Sequence, residues 1–428
     1  MQENSQKKGN WWALLPIGVF LVVYIGVSLI FDDFYAMSVV VAFLVAILVA
    51  CLQNRKLKFD DKLSVMAKGV ADKNIITMIL IFLVAGVFAG TLGRDSAKAV
   101  ADLFLSFIPE KYSALVLFIV ACFVSTAMGT SCGTITVIAP IGFELSIATG
   151  APLPLIVGSI IGGAMFGDNL SFISDTTIAA TSTQGCKMKD KFKENFLIAL
   201  PAALLTIVIL VIFALVSTDN NSYVPSDVNL WLLLPYVLVL IGGIAGINVF
   251  VVLLTGIISS VAIKLALGVE VLSVITAMGS GASSMFEVIL VTLLVSMLSA
   301  LMREFGGFDA LLAGIKKVFK GKVGGQLGIG LLVSAMDIAT ANNTVAIVMA
   351  APIAKTISED YGITNTKTAS LLDIFGSVVQ GIIPYGAQML TAVELTKVAA
   401  GAVIPYLFYP YLLAISAIIF MFIPSKKK

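Results

Sequence analysis

Asp168 and Asp175 stand seven residues apart in Gly167-Asp-Asn-Leu-Ser-Phe-Ile-Ser-Asp-Thr-Thr177, a stretch crowded with small oxygen-bearing side chains. The run before it, 154–166, carries no charge. An ionisable residue after so apolar a run is costly to insert, roughly 2.5–3.5 kcal/mol, and marks a functional site. On an unbroken helix the two carboxylates share a face about two turns apart. The interleaved Asn169, Ser171, Ser174, Thr176 and Thr177 predict a broken helix instead, whose freed backbone groups help to hold an ion. Na+ at Asp168 and Asp175 is the expected occupant. The competing reading is a cytoplasmic loop that caps a helix, because Lys187, Lys189, Lys191 and Lys193 follow. The stretch itself holds no Lys or Arg, which favours the site.

Two further polar breaks carry the same chemistry. They are Thr130-Ser131-Cys132-Gly133-Thr134 and Ala341-Asn342-Asn343-Thr344. Hydroxyl and amide oxygens with freed carbonyls suit Na+, whereas the N–H groups of a following half-helix suit an anion. A Ser or Thr in a membrane helix also bonds to backbone or a neighbouring helix, which is the plainer role. Asp337, just before the second break, reads as an ion ligand or a proton carrier. Asp373, Gln380 and Gln388 are secondary candidates, Asp373 because it equally suits a helix start. The chain has no histidine, so any protonation falls to Asp and Glu. A carboxylate that binds Na+ must be ionised, so Na+ and H+ compete for it. That competition suffices for exchange.

The elements that must position these residues are membrane helices. Of 428 residues, 59% are hydrophobic and 12% charged, against about 25% charged in soluble domains. Runs such as 11–31, 75–92, 196–216 and 230–250 are near the ~20 residues that cross a bilayer. The bilayer is therefore the expected partner, and a net charge of +2 gives no reason to expect nucleic acid. Four cysteines without metal or disulfide spacing read as small packing residues. No cofactor is expected, only Na+ and H+ as transported or coupling ions. Lys7-Lys8, the basic linker from Arg55 to Lys73, the 187–193 cluster, Lys316 to Lys322 and Lys426–Lys428 all fit one threading with both termini cytoplasmic. In it Asp32-Asp33, Arg94, the segment 218–227 and a loop from Gly268 to Ser284 lie outside.

The two halves repeat. Pro140 and Pro352 sit in matching Ala-Pro-Ile triplets 212 residues apart, each after a polar break. The same offset carries Asp168 to Gln380 and Ser125 to Asp337. Short amphipathic pieces, 97–108 and 308–319, also correspond. Because Arg94 falls outside and Arg303 inside, the repeats are inverted, an architecture of secondary transporters. The expected organisation is a helical hairpin with a basic linker (1–73), a first inverted repeat (74–217), a connecting hairpin (218–284) and a second repeat (285–428). The fold class is an all-α integral membrane protein of about ten to twelve spans with broken helices and re-entrant hairpins.

Gly167-Asp168-x-Leu170-Ser171-x-x-Ser174-Asp175-Thr176-Thr177 resembles the G-D-x-x-S-P-x-S-D-T-T signature of the NhaC family of Na+/H+ antiporters. Thr130-Ser131-x-Gly133-Thr134 is similar to that family's T-S-x-G-T. Phe172 stands where the signature has proline, while Pro384 holds the equivalent place in the second half. The resemblance implies a cation antiporter of a bacterial-type cytoplasmic membrane, paired re-entrant hairpins and a homodimer. Its site would include Asp168, Asp175 and the neighbouring Ser and Thr oxygens. An alternative is Na+- or H+-coupled transport of an amino acid or small carboxylate, with Asn342, Asn343 and helix N-termini holding the organic anion. An intramembrane aspartyl protease is the remote alternative, since Met165 stands where its Gly-x-Gly-Asp element needs glycine. No Gly-x-x-x-x-Gly-Lys-Ser/Thr motif is present for an ATP-driven pump.

Overall fold

In a computed structural model, residues 9–31, 37–107, 109–172, 174–216, 229–245 and 247–423 are described. Lys7-Lys8, Asp32-Asp33, Ile173, the segment 218–227 and Lys426–Lys428, used above for orientation or motif, lie outside them. Among the described residues there is no strand. An N-terminal group comprises α1 (Leu15–Phe31), α2 (Val39–Leu52) and the amphipathic α3 (Phe59–Val70). The first half then runs α4 (Lys73–Phe107), α5 (Ser113–Met128), α6 (Ser131–Thr149), α7 (Leu153–Leu170), α8 (Asp175–Gln184) and α9 (Met188–Val216). A connector holds α10 (Leu234–Ile244), α11 (Val249–Ala266) and α12 (Val271–Ser284). The second half runs α13 (Phe286–Glu304), α14 (Gly307–Val318), α15 (Gly321–Thr340), α16 (Asn343–Tyr361) and α17 (Asn365–Gln380). It ends with α18 (Ala387–Thr396), α19 (Ala400–Val403) and α20 (Phe408–Met421).

Among the described residues, seven helices are long and apolar enough to cross a membrane, or eight if the bent pair Ala387–Thr396 and Ala400–Tyr406 is one span. That pair bends by 107°, as a broken span or re-entrant segment does. The expected ten to twelve spans are reached only when the shorter apolar helices Trp11–Tyr24, Val39–Leu52, Leu230–Gly242 and Phe408–Met421 cross as well. Together these features make the protein an all-α, multi-pass membrane protein.

The repeat is written into the backbone. Helices α6, α7, α8 and α9 begin at 131, 153, 175 and 188, and α16, α17, α18 and α19 begin 212 residues later in each case. Left-handed residues correspond too, Gly129 with Ala341, Gly150 with Gly362 and Gly185 with Lys397. At the two breaks this backbone reversal ends one helix and lets a side chain open the next. Thr130 Oγ1 accepts from Gly133 N at 3.3 Å, and Asn342 Oδ1 accepts from Val345 N at 3.0 Å. Ala341 holds a φ of 45°, a region that costs an L-residue roughly 1–2 kcal/mol and is kept only where surroundings fix it.

Close helix contacts set the height of the first site. A Cβ on Gly163 would run into the Phe118 carbonyl, and one on Gly167 would meet Thr126 N and the Cys122 carbonyl. The Gly-x-x-x-Gly face of α7 therefore lies directly on α5, as small residues permit in membranes. Ser125 Oγ donates across the contact to the Ala164 carbonyl at 2.6 Å. The second half makes the contact the other way round. Gly330 on α15, equivalent to Phe118, packs against Phe375 on α17, equivalent to Gly163. One large and one small residue fill each crossing, with their helices exchanged.

Several expectations are corrected. The segment from Gly268 to Ser284 is not a loop, since α12 occupies most of it. Its small face, Ala277 and Gly281, packs directly against Gly86 and Gly90 of α4. The run 230–250 is not one helix either: a 3-10 turn at Leu230–Leu233 leads into α10, which stops at Ile244, and Asn248 caps a new helix. The amphipathic piece expected after Arg94 is a distinct helical segment: Gly93, with a φ of 61° and ψ of −177°, divides α4 at a kink before residues 97–107.

The α4–α12 contact generates a stability test with an internal control. Gly281→Ala forces a Cβ into backbone and is expected to cost about 1–3 kcal/mol. Gly279→Ala on the same helix faces open space and is expected to be neutral or slightly stabilising. Thermal unfolding of the purified protein in detergent reads both, and equal effects would refute the close contact.

Candidate ion site

Three chain breaks converge on one small cavity of about 80 Å³. Its lining includes Thr130 and Ser131 from the first break, Asp168, Ser174, Asp175 and Thr176 from the second, and Asn342, Asn343 and Thr344 from the third. Gln388 of α18 and Thr77, Met78 and Phe82 of α4 complete the wall. Asp168 is only 4% exposed and sits at the C-terminal end of α7. Ser174 Oγ donates to its Oδ1 at 2.7 Å, and Ser131 Oγ lies 3.3 Å from its Oδ2. Ser174 also bonds to Thr176 Oγ1 at 2.9 Å. Gln388 Nε2 donates to Ser131 Oγ at 3.0 Å, and Gln380 Nε2 donates to Gln388 Oε1 at 2.7 Å. Gln380 Nε2 also reaches the Ala341 carbonyl at 3.1 Å. A polar chain thus runs from the Asp168 carboxylate to the break in the other half.

The remaining sequence candidates are distributed around this centre. Asp175 lines the cavity but is exposed, at the first position of α8. It differs from Asp168 in burial because the break from Ser171 to Ser174 turns the chain before α8 begins. Thr134 Oγ1 bonds back to the Thr130 carbonyl at 2.9 Å and stays within its own helix. Ser171 ends α7, its N–H donating to the Asp168 carbonyl at 3.3 Å. Asn169, Thr177 and Asp373 belong to a neighbouring polar cluster. Asp337 is fully buried behind the third break, its carboxylate set against the backbone of Asn342 and Gln380.

The neighbouring cluster contains the residue that sequence reasoning misplaced. Lys191, read above as one of a row of cytoplasmic lysines, is 1% exposed. Its Nζ donates to Asp373 Oδ2 at 2.5 Å, Thr177 Oγ1 at 2.7 Å and the Asn169 carbonyl at 3.2 Å. Asn195 Nδ2 joins it on Asp373 Oδ2 at 2.8 Å, and Ser377 Oγ donates to Asn169 Oδ1 at 2.5 Å. A signal was present in the spacing. Lys191 and Asn195 extend the buried helical stripe of Ile198, Ala199 and Ala202 by one turn each.

Charge pairing separates the buried acids. Among the described residues, five carboxylates are buried: Asp102, Glu144, Asp168, Asp337 and Asp373. Lys98 pairs with Asp102, Arg94 with Glu144 and Lys191 with Asp373. Asp168 and Asp337 form no salt bridge, and Asp168 lines the cavity where the breaks meet. A larger cavity of about 240 Å³, bordered by Lys68, Asp72, Ser299 and Arg303, reaches Thr340. A much smaller one joins Thr340 to Met78 and Asn342 in the wall of the Asp168 cavity. The arrangement can hold a small cation on hard oxygen atoms, within reach of one polar vestibule.

The model of the Na+/H+ antiporter family matches residues 8–215 and 228–424. The Na+/H+ antiporter NhaC of Bacillus subtilis is 25% identical over 458 aligned residues, covering 98% of this chain and 99% of its own. NhaC of Alkalihalophilus pseudofirmus is 21% identical, covering 96% and 94%. The malate-2H+/Na+-lactate antiporter of Bacillus subtilis is 26% identical over about half of each chain, 53% and 52%. With a match along nearly the whole sequence, the chain belongs to the Na+/H+ antiporter family, a family of secondary active transporters.

Proposed function

We propose that this protein exchanges Na+ for H+ at Asp168. The observation that carries the reading is a buried carboxylate, unpaired with any basic residue, in a cavity where three helix breaks meet. A carboxylate removed from water needs a cation or a proton to compensate its charge. Ser131 and Ser174 serve both states. Each hydroxyl donates to an ionised oxygen and keeps a lone pair that can face Na+. When a proton takes the carboxylate, the carboxyl group is neutral and attraction for Na+ is lost. Bound Na+ and bound H+ therefore exclude one another, and movement of the neutral site between the two faces completes an antiport cycle. Asp175, at the exposed edge of the cavity, attracts the cation from water. Asp337 lies behind the break beside the Asn342 backbone, and this reading gives it no place among the ligands at Asp168.

The repeat supports alternating access, because two equivalent bundles meeting at broken helices can rock about a fixed site. Inverted placement of the halves, both termini in the cytoplasm, a bacterial-type cytoplasmic membrane and a homodimer belong to this reading. In that orientation the Lys68–Arg303 vestibule faces the cytoplasm.

A second reading has one observation in its favour. Asn343 Nδ2 is buried beside the cavity without a hydrogen-bond partner, and an amide donor suits a carboxylate. A small organic anion such as lactate or malate would then travel with the ion. A rise in unfolding temperature with sodium lactate or malate beyond that given by sodium chloride at equal ionic strength would favour it.

Proteoliposomes loaded with a pH dye test the leading reading. Sodium added outside is expected to alkalinise the lumen, and Asp168→Asn is expected to abolish the signal. Ser174→Ala is expected to raise the half-saturating sodium concentration about tenfold, the loss of one hydrogen-bonding ligand. Asp337→Asn is expected to leave that concentration within about threefold, since Asp337 is not among the residues lining the Asp168 cavity. Sodium-driven alkalinisation by Asp168→Asn at the wild-type rate would refute the assignment.

A further inference from the structure

Lys191 makes all the hydrogen bonds an ammonium can make, and every acceptor is of the kind that coordinates sodium. An ammonium has three donors. They meet one carboxylate oxygen of Asp373, the Thr177 hydroxyl and the Asn169 backbone carbonyl. The carbonyl belongs to the end of α7 and the hydroxyl to the start of α8, so the ammonium bridges the break beside Asp168. Asp373 comes from the other half of the molecule. The pair is asymmetric in the repeat, since the positions 212 residues away are Val403 and Ile161. Asp373 Oδ1, Asn169 Nδ2 and Asn195 Oδ1 are buried without a hydrogen-bond partner, so the cage has polar capacity beyond what the ammonium uses.

We propose that Lys191 is a tethered cation: its ammonium fills an oxygen cage of Asp373, Thr177 and Asn169 that would otherwise take a second sodium ion, and so confines the transported ion to Asp168. Carboxylate, hydroxyl and unwound carbonyl are the ligands that broken membrane helices offer to sodium. A buried carboxylate stripped of its partner keeps its demand for positive charge. The chain meets that demand at Asp373 with its own side chain and leaves it to the cargo at Asp168. The inference rests on Asp168 being the ion site.

Binding of radioactive sodium to the purified full chain tests it. Wild type is expected to bind a single ion, and Asp168→Asn none. Lys191→Met bares a cage with net negative charge and is expected to bind a second ion. Asp373→Asn leaves the ammonium uncompensated near Asp168 and is expected to weaken sodium binding about tenfold. The double variant Lys191→Met/Asp373→Asn restores the charge balance and is expected to return to within about threefold of wild type. Lost packing alone would weaken both single variants in the same direction, and that result overturns the proposal. So does a folded Lys191→Met that binds only a single ion. Where Lys191→Met does not fold, Asp373→Asn and the double variant decide, and wild-type affinity in Asp373→Asn overturns it. Sodium retained by Asp168→Asn is a separate outcome, which refutes the site at Asp168 on which the inference stands.

Discussion

A carboxylate held away from water, without a basic partner, is the interaction on which the rest of this structure depends. Asp168 is kept in place by two serine hydroxyls from different breaks and by the direct contact of α7 with α5. Gly163 and Gly167 allow that contact, so a residue with a Cβ at either position would displace the carboxylate by the thickness of a methyl group. The same small-residue logic seats α12 on α4, whose Thr77, Met78 and Phe82 form one wall of the cavity. Packing in this protein is thus mostly a means of placing polar groups at a chosen depth.

The buried charges divide into those the chain satisfies and those it leaves to something else. Glu144 has Arg94, Asp102 has Lys98, and Asp373 has Lys191. Each such pair is a modest contributor to stability, because desolvation offsets much of the attraction. Their greater effect is to fix which site is open to a cation. The N-terminal hairpin adds rigidity near the third break, where Phe20 and Phe43 pack edge-on against Tyr385 and the Tyr385 hydroxyl donates to the Ile338 carbonyl. Asp337, next to that carbonyl in sequence, is set against the backbone of Asn342 and Gln380.

Much of the fold was legible in the sequence because membrane insertion leaves long apolar runs, and because the repeat keeps its spacing. The offset read from two Ala-Pro-Ile triplets recurs at helix starts and at left-handed residues. The convergence of the breaks was legible through their polar residues, whereas their division of labour was not. Lys191 hid among lysines of alternating spacing, and only its position on the Ile198–Ala202 stripe distinguishes it. Asp175 and Asp168 look alike in a motif, yet the turn between α7 and α8 exposes one and buries the other. The segment that became α12 has no charge pattern and many small residues, so its helical state comes from the face of α4 that it covers. The exchange of Phe118 and Gly163 for Gly330 and Phe375 is invisible to residue-by-residue comparison, since only the crossing as a whole is kept.

The central claim is that sodium and a proton compete for one carboxylate. Calorimetric titration of the purified protein with sodium chloride, repeated near neutral pH in buffers of different ionisation enthalpy, measures the protons released on binding. Proton release that accompanies sodium binding, and loss of both together in Asp168→Asn, is the result this account predicts. Sodium binding with no proton released across the pH range in which exchange is active would contradict it.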